Sequence, residues 1–254
     1  MERKSQELKS ILTSQLFETV DNYEFLLNVE KSHAASFAII TEGIAVLSDF
    51  SHAACHTYSG KFGRQVFSLP EYSIDENSPF EDIIFDGIPK EDLLERHILE
   101  LRFFHFMQTI PKEQRSEYQM SCVIRFRKPD GATLPVLHTS RYVQWDSTGN
   151  AWLGLCTYVP LPLLDVKNEC GIINSVTGEL VDKKLYTKND NRILSKRQRE
   201  ILCLLAKGHG SKQIADKLNI SVHTVNRHRQ DILTALKVTN SASAVEIALR
   251  LELI

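Results

Sequence analysis

The apolar residues of the C-terminal segment recur at three- and four-residue steps in four short stretches, which is the spacing of amphipathic helices. Ser195 and Gln198 form a predicted capping box at the start of the first helix. The stretch SKQIADKL predicts a second, short helix. Ser221 is a suitable N-cap for a third, and residues 242–251 predict a fourth. We therefore expect an all-α domain of four helices over residues 193–254.

The third predicted helix has two faces of different character. Val225, Ile232 and Leu236 follow one another at steps of seven and four residues, so they lie on one side and hold the helix to the first two. The other side is polar and consists of His223, Asn226, Arg227 and Gln230. Arginine suits the major-groove edge of guanine, whereas asparagine and glutamine suit adenine. A short helix, a tight turn and a helix with a free polar face form the helix-turn-helix arrangement.

The N-terminal part begins with two predicted helices. The first is indicated by apolar residues at helical steps, namely Leu8, Ile11, Leu12, Leu16 and Val20. A second helix is expected to begin at a capping box of Asp21 and Glu24, with Val20 and Phe25 as its hydrophobic staple. Its apolar side is predicted to consist of Phe25, Leu26 and Val29.

The pattern then changes to that of strands. FAII and IAVLSDF predict a strand pair, and SHAACHTYSG predicts a short helix. A long helix is expected over residues 91–110, where Pro111 stops it. Three strands follow, in YQMSCVIRF, residues 132–145 and AWLGLCTYV. The last strand is apolar on both faces, so we expect it to lie centrally, with the N-terminal helices as its second cover.

Pro160 and Pro162 end this region. GIINSVTGELV predicts a small hairpin around Thr177 and Gly178, and the polar stretch DKKLYTKNDNR predicts a linker. The sequence therefore predicts four parts: an N-terminal helical extension (1–35), an α+β domain with an antiparallel sheet and helices (36–162), a hairpin and linker (163–192), and the four-helix domain (193–254).

Charge is distributed unevenly along the chain. Residues 192–254 carry 11 Lys and Arg against 5 Asp and Glu, whereas residues 1–191 carry 19 against 27. The helical segment is therefore at +6 and the rest at −8. A basic module joined to an acidic domain indicates an anionic partner for the basic module.

The bulk features favour a cytoplasmic protein. The five cysteines are scattered, odd in number and without a CxxC pair, which is typical of free thiols in a reducing cytosol. The N-terminal stretch MERKSQELKS is too polar for a signal peptide. Apolar runs fall well short of the ~18 residues that a membrane span needs, so we expect no membrane association.

Histidines are the first candidates for metal or haem ligands. His52 and His56 are four residues apart and would share a metal on a helix, but the residue after His52 is not the glutamate that metalloprotease chemistry needs. His97 and His105 would lie about 12 Å apart along a helix, too far to hold one ion. His138 is open to two interpretations, a core histidine or a pocket or haem ligand, and the core role is favoured. We predict no metal site, and the cofactor stays undetermined.

Catalytic motifs are not apparent in the sequence. It contains no P-loop and no GxSxG elbow, and the N-terminal region lacks the alternating strand-helix pattern of a doubly wound receiver domain. We therefore do not expect an enzyme.

The segment LSKRQREILCLLAKGHGSKQIADKLNISVHTVNRHRQDILTALKVTNSASAVEIALRLELI resembles the LuxR/FixJ-type helix-turn-helix of bacterial transcription regulators. Residues that match the family pattern at fixed spacing include Leu194, Glu200, Gly208, Ile214, Ala215, Ser221, Thr224, Val225, His228, Ile232 and Leu236. The sequence departs from the pattern at Asn226 and Ala235, where lysine is usual, at Ser241, where arginine is usual, and at Gly210, where a capping serine is common.

The resemblance implies a role for several residues. Asn226, Arg227 and Gln230 would face the bases, with His223 on the same side of the helix. The residues that would touch phosphate are Lys212, Thr224 and His228. The fourth helix would contribute to pairing on DNA through Val245, Ala248 and Leu249. We expect a homodimer, because a lone recognition helix reads only a few base pairs.

Residues from about 36 to 160 resemble a PAS domain in the order of their elements: two strands, short helices, a long helix and three long antiparallel strands. Local likenesses are SHAACHTYSG, IPKEDLLERH and RFRKPDGATLPVLHTSRYV. Such domains bind small ligands or signal through dimer contacts, which leaves a small-molecule ligand open as a partner. The flavin-photoreceptor cysteine motif is absent, since Cys55 lies in AACHTYSG, and this argues against a light sensor.

The sequence thus predicts a transcription regulator that reads double-stranded DNA and is controlled by a PAS-like sensory or dimerisation domain, with RNA polymerase open as a further partner. The alternative is a PAS-like ligand-binding or protein-interaction module with little specific DNA binding. A third interpretation, an N-terminal enzyme that acts on its own ligand, lacks a catalytic constellation.

Overall fold

The computed structural model describes residues 11–18, 20–128, 130–162, 170–187, 193–236 and 238–254. The chain divides into two compact units, with the boundary between Lys183 and Lys184. The hairpin that follows Pro162 therefore belongs to the N-terminal unit, whereas the sequence pattern predicts it as part of a separate connecting segment.

An antiparallel sheet of seven strands forms the centre of the N-terminal unit. Its strands are β1 (Ile44–Asp49), β2 (Ala54–Ser59), β3 (Tyr72–Asp75), β4 (Tyr118–Arg127), β5 (Thr133–Trp145), β6 (Ala151–Pro160) and β7 (Gly171–Asn174). Their order across the sheet is β3-β2-β1-β6-β5-β4-β7. Strands β1 and β6 pair in the middle of the sheet, where Ile44 is opposite Tyr158 and Asp49 is opposite Leu153.

Helices cover this sheet. They are α1 (Tyr23–Thr41), α2 (Lys61–Phe67), α3 (Asp82–Phe85) and α4 (Lys90–Met107), with a 3₁₀ turn over Lys112–Glu117. On α1, Leu27, Ala34 and Ala38 pack against Leu47 and Trp152 of the sheet. This contact confirms that an N-terminal helix covers the last long strand, which is buried on both faces for that reason.

The long helix α4 is almost entirely buried, and its bounds confirm the predicted helix to within three residues. Asp92 in its first turn accepts hydrogen bonds from the Arg125 backbone N–H at 2.8 Å and from Arg125 Nε at 2.9 Å. These bonds tie the start of α4 to β4. The long strands β4, β5 and β6 are confirmed as well.

Two elements differ in type from the prediction. FAII is not a strand but the last full turn of α1, and SHAACHTYSG forms mainly β2 rather than a helix. A short apolar run does not by itself distinguish a helix from a strand that is covered on both faces. Here tertiary contacts decide: Ala38 packs inward from α1, whereas β2 pairs with both β1 and β3.

The two helices predicted at the N-terminal end are also wrong in part. Residues 11–13 are helical, but Leu16 is 88% exposed and the helix does not continue to Val20. Leu8 lies outside the described residues. The predicted capping box and staple are absent, because Asn22 precedes α1 in the left-handed region with φ 59° and Phe25 is 67% exposed.

The small hairpin after Pro162 is confirmed. Strand β7 pairs with β4, and Ile173 of β7 forms a β-bridge with Leu180. Between them Gly178 turns the chain with φ 76°, a conformation that favours glycine. In the predicted linker, Lys183–Tyr186 form α5, and residues 188–192 lie outside the described part of the chain.

The C-terminal unit contains the four predicted helices: α6 (Lys196–Ala206), α7 (Ser211–Leu218), α8 (Val222–Leu236) and α9 (Ser241–Arg250). The capping box is confirmed, since the Ser195 N–H donates to Gln198 Oε1 at 2.8 Å and the Gln198 N–H donates to Ser195 Oγ at 3.3 Å. The helices meet around a core of Ile201, Leu202, Ile214, Val225, Ile232, Leu236, Ala244 and Ala248.

Within the described ranges, no single helix combines the length and apolar character of a membrane span. Among the described residues, the bent pair of α8 and α9 taken together meets these two criteria by length and composition alone.

Candidate functional site

The site is built on α8, whose two faces differ as the sequence predicted. Val225, Ile232 and Leu236 are buried against the other helices of the unit. The opposite side of α8 is exposed and carries His223, Asn226, Arg227 and Gln230. The burial of the apolar stripe therefore fixes which side chains face solvent.

The start of α8 is fixed by its cap and by the turn before it. The Thr224 N–H donates to Ser221 Oγ at 3.0 Å, which confirms Ser221 as the N-cap. Asn219 turns the chain in the left-handed region with φ 51°. Arg197 Nη2 donates to the Leu218 carbonyl at 2.9 Å, so α6 holds the last turn of α7 in place before α8 begins.

The three residues predicted to contact phosphate lie near the N-terminal ends of α7 and α8 or one turn further along. Lys212 is exposed in the first turn of α7, and the Thr224 hydroxyl lies 2.8 Å from Ser221 Oγ. His228 is half-buried, and its Nδ1 is buried without a hydrogen-bond partner among the described residues.

Arg229 does not belong to the exposed basic face, although it follows Arg227 and His228 directly. Its Nη1 donates to Ser211 Oγ of α7 at 2.6 Å, and its Nη2 donates to Ser241 Oγ of α9 at 2.9 Å. Ser211 Oγ in turn donates to Asn226 Oδ1 at 2.9 Å. The structure thus joins four residues, Arg229, Ser211, Ser241 and Asn226, that the sequence pattern does not bring together.

Helical spacing contains the signal that places Arg229. It lies four residues after Val225 and three before Ile232, so it shares the side of the helix that packs against the other helices. The sequence contains no comparable signal for Ser211 and Ser241. Each lies on a different helix from Arg229, and only the packing of the three helices brings them together.

The residues predicted to form a dimer contact differ in their accessibility. Leu249 is 55% exposed and Val245 is half-buried, but Ala248 is completely buried inside the unit. Ala248 supports α9 from within and does not offer a surface to a second chain, which corrects its predicted role. The exposed part of α9 is centred on Leu249.

The N-terminal unit contains a buried polar cluster around Arg96 of α4. Arg96 Nη2 donates to Glu81, Arg96 Nε donates to His138 Nε2 at 3.0 Å, and Tyr158 OH donates to Glu81 Oε1 at 2.6 Å. His138 Nδ1 lies 3.2 Å from the Thr157 carbonyl, so both ring nitrogens have protein partners. This geometry supports the core interpretation of His138.

Burial shifts the pKa values within this cluster. It raises the pKa of Glu100 to about 7, although the nearby Arg96 guanidinium opposes the shift. Burial together with the positive charge of Arg96 lowers the pKa of His138 well below its ordinary value. Arg96 Nη1 and Glu100 Oε2 form a buried ion pair at 3.1 Å, whereas Tyr142 OH is buried without a hydrogen-bond partner among the described residues.

Cavities open on the N-terminal unit. One of about 290 Å³ is mostly apolar, with Ile44, Phe67, Leu69, Ile84 and Phe126 among its lining residues. Another, of about 570 Å³, is lined by acidic groups that include Asp75, Glu81 and Asp82, together with Cys55.

The candidate metal ligands are not assembled into a site. His52 lies 3.2 Å from Asp49, and His56 lies on β2 with its Nδ1 2.9 Å from Tyr72 OH. Across the described ranges, no group of three or more histidine, cysteine or acidic residues is arranged to hold a metal ion. All five cysteines are free thiols.

Comparison with known protein families identifies the C-terminal unit. Residues 192–248 match the model described as bacterial regulatory proteins, luxR family. The C-terminal unit is a LuxR-type helix-turn-helix domain. The match covers this unit and not the seven-stranded sheet, and the members of this family are transcription regulators rather than enzymes.

Individual relatives match over a longer stretch than the family model does. The oxygen regulatory protein NreC of Staphylococcus haemolyticus is 38% identical over 91 residues, which are 36% of this chain and 42% of NreC. NreC of Staphylococcus aureus strain RF122 matches with the same identity and coverage. This chain therefore covers less than half of the length of the curated relatives.

Two solved structures are similar over most of their length but at low scores. Vibrio cholerae VqmA, described as a LuxR-type receptor, is 15% identical with a TM-score of 0.28, covering 85% of this chain and 86% of VqmA. Escherichia coli SdiA is also 15% identical, with a TM-score of 0.27 and 98% of each chain covered. Scores this low do not establish a common overall architecture.

Proposed function

We propose that this protein is a transcription regulator that reads double-stranded DNA through α8. One observation supports this most strongly: the exposed side of α8 carries Asn226, Arg227 and Gln230 in a unit that matches the luxR family. These are the side-chain types that recognise base edges in the major groove. The buried stripe of Val225, Ile232 and Leu236 keeps that side turned outward.

Each exposed residue has a proposed role. Arg227 would donate to guanine, Gln230 or Asn226 would recognise adenine, and His223 would lie beside them. Phosphate would be contacted by Lys212, Thr224 and His228, which lie on or near the N-terminal turns of two helices. Backbone N–H groups at helix N-termini favour anions, so they would support these contacts.

For the N-terminal unit we propose a PAS-like sensory or dimerisation role. The order of elements supports it: two strands, two short helices with the short strand β3 between them, a long helix and three long strands. The apolar cavity of about 290 Å³ has room for a small ligand, whose identity and any cofactor stay open. We further propose a cytoplasmic location, a homodimer on DNA, and RNA polymerase as a further partner.

The test is a salt titration of binding to random duplex DNA. Each phosphate contact releases counterions, so the logarithm of the association constant should fall linearly with the logarithm of the salt concentration. Three phosphate contacts per chain would give a slope of roughly −3 per protomer. Binding that is weak and insensitive to salt would instead favour the alternative, a PAS-like ligand-binding or protein-interaction module.

A further inference from the structure

The side chain of Asn226 is not free in the unbound protein, because two successive hydrogen bonds connect it to Arg229. Arg229 Nη1 donates to Ser211 Oγ at 2.6 Å, and Ser211 Oγ donates to Asn226 Oδ1 at 2.9 Å. An arginine side chain can only donate, so Ser211 Oγ accepts from Arg229 and keeps its own proton for the amide oxygen. We call this chain of three residues the Asn226 relay.

The relay begins on a side chain that is held at two points. Besides its bond to Ser211, Arg229 donates from Nη2 to Ser241 Oγ at 2.9 Å. Ser211 is the first residue of α7 and Ser241 is the first residue of α9. The guanidinium is thus fixed between three helices, and the relay carries this constraint to the exposed side of α8.

The constraint decides which atoms of Asn226 face outward. Oδ1 and Nδ2 branch from one carbon, so holding Oδ1 against Ser211 turns Nδ2 and its two N–H groups away from α7. A freely rotating amide pairs with adenine, which offers the acceptor N7 beside the donor N6. An amide whose oxygen is already engaged presents its donors first, and guanine offers two adjacent acceptors, N7 and O6.

We propose that Ser211 and Arg229 are positioning residues for base recognition, which fix the Asn226 amide so that Asn226 selects guanine rather than adenine. This inference rests on the proposed function, because it requires α8 to lie in the major groove. It revises the expectation from side-chain type alone, which assigned adenine to Asn226 or Gln230, and leaves Gln230 as the adenine reader.

The test compares base preferences, obtained by selecting binding sites from randomised duplexes with the full-length protein. Asn226→Ala identifies the base pair that Asn226 reads, and the wild type should prefer guanine there. Ser211→Ala should lower that preference roughly 2- to 10-fold, the loss of one neutral hydrogen bond. Its affinity for random duplex and its salt slope should stay at the wild-type values, since neither Ser211 nor Asn226 is a proposed phosphate contact.

Two further variants separate positioning from a structural effect. Ser211→Thr keeps the hydroxyl group and should retain the guanine preference. Ser241→Ala is the matched control, because it makes the same change at the first residue of a helix and removes a bond to the same guanidinium. It leaves the bond between Ser211 and Asn226 intact, so the base preference should not change.

Several outcomes would overturn the inference while leaving the proposed function standing. These are full guanine preference in Ser211→Ala, a wild-type preference for adenine at this base pair, and an Asn226→Ala variant that changes no base pair. In each case, base reading by α8 would still be supported if Arg227→Ala lost a sequence preference that the wild type shows. A wild-type protein without any sequence preference would refute the proposed function and the inference together.

Discussion

At the scale of single residues, Arg227, His228 and Arg229 illustrate how neighbours in sequence serve different purposes on a helix. Successive side chains point about 100° apart, since a turn has about 3.6 residues. Arg227 is exposed, and Arg229 bonds to serines of two other helices. His228 is half-buried, and its Nδ1 has no hydrogen-bond partner in the described part of the chain. Of the three, only Arg227 is placed for base contact.

Replacing Arg227 tests the assignment of the base-reading face. A good bidentate contact to guanine contributes about 1–3 kcal/mol of discrimination. Arg227→Ala should therefore weaken binding to a specific site about 5- to 150-fold and relax the preference at one base pair per half-site. Competition binding of specific and random duplexes measures both effects.

The control for this prediction is Lys212→Ala, which removes a proposed phosphate contact. Specific and random duplex should then weaken together, and the magnitude of the salt slope should fall by about one. If Arg227→Ala behaved in the same way as Lys212→Ala, then Arg227 would be a phosphate contact and the base-reading face would be wrongly assigned.

Glu100 provides a prediction for the pH dependence of the N-terminal unit. Burial raises its pKa from 4.5 to about 7, so the folded state binds its proton more tightly than the unfolded state does. The stability from this group is therefore fully present below about pH 4.5 and is lost as the pH rises towards 7. The loss should reach about 3 kcal/mol, relative to a variant without this carboxyl group.

The measurement compares urea unfolding of the wild type and Glu100→Gln between pH 4.5 and 8. Both tryptophans, Trp145 and Trp152, lie in the N-terminal unit, so their fluorescence reports on that unit. The difference in free energy of unfolding, wild type minus variant, should decrease with rising pH. A difference independent of pH would contradict the buried, protonated state of Glu100. Taking the difference also removes the contribution of His138, whose lowered pKa acts in the opposite direction.

At the scale of elements, α8 depends on its buried stripe, because short helices gain most of their stability from packing. Val225 is completely buried, so Val225→Ala should reduce the free energy of unfolding of the C-terminal unit by roughly 2 kcal/mol. Circular dichroism during thermal unfolding measures this change.

The same helix offers a matched control. Val222 is 38% exposed at the start of α8, and Val222→Ala should change the stability by less than about 0.5 kcal/mol. Equal losses for both variants would mean that α8 does not pack through Val225 as the structure describes.

At the scale of the whole molecule, the proposed homodimer on DNA depends on the exposed part of α9. Leu249→Glu places a charge at the centre of this surface and should weaken pairing on DNA roughly tenfold or more. Leu180→Glu, at a leucine that is 56% exposed on the hairpin, should have no such effect. Sedimentation of the protein with a duplex that carries two half-sites measures the number of bound chains. A single wild-type chain on that duplex would exclude the proposed dimer.

The sequence by itself determined the features that depend on local chemistry. The four C-terminal helices, the capping box of Ser195 and Gln198, and the division of α8 into a buried and an exposed face all follow from apolar spacing and capping residues over a few turns. The long helix α4 and the strands β4, β5 and β6 were predictable for the same reason, since each is long enough for its periodicity to be unambiguous.

Only the tertiary structure decided the features that depend on residues distant in sequence. FAII became helical and SHAACHTYSG became mainly a strand because their partners, the sheet face under Ala38 and the neighbouring strands β1 and β3, lie elsewhere in the chain. The buried Arg96 cluster joins side chains from more than three elements, and the Asn226 relay joins α8 to α7. A hydrogen bond forms only when the donor and acceptor atoms lie within a few tenths of an ångström of their preferred separation. That separation is fixed only when packing brings the elements together.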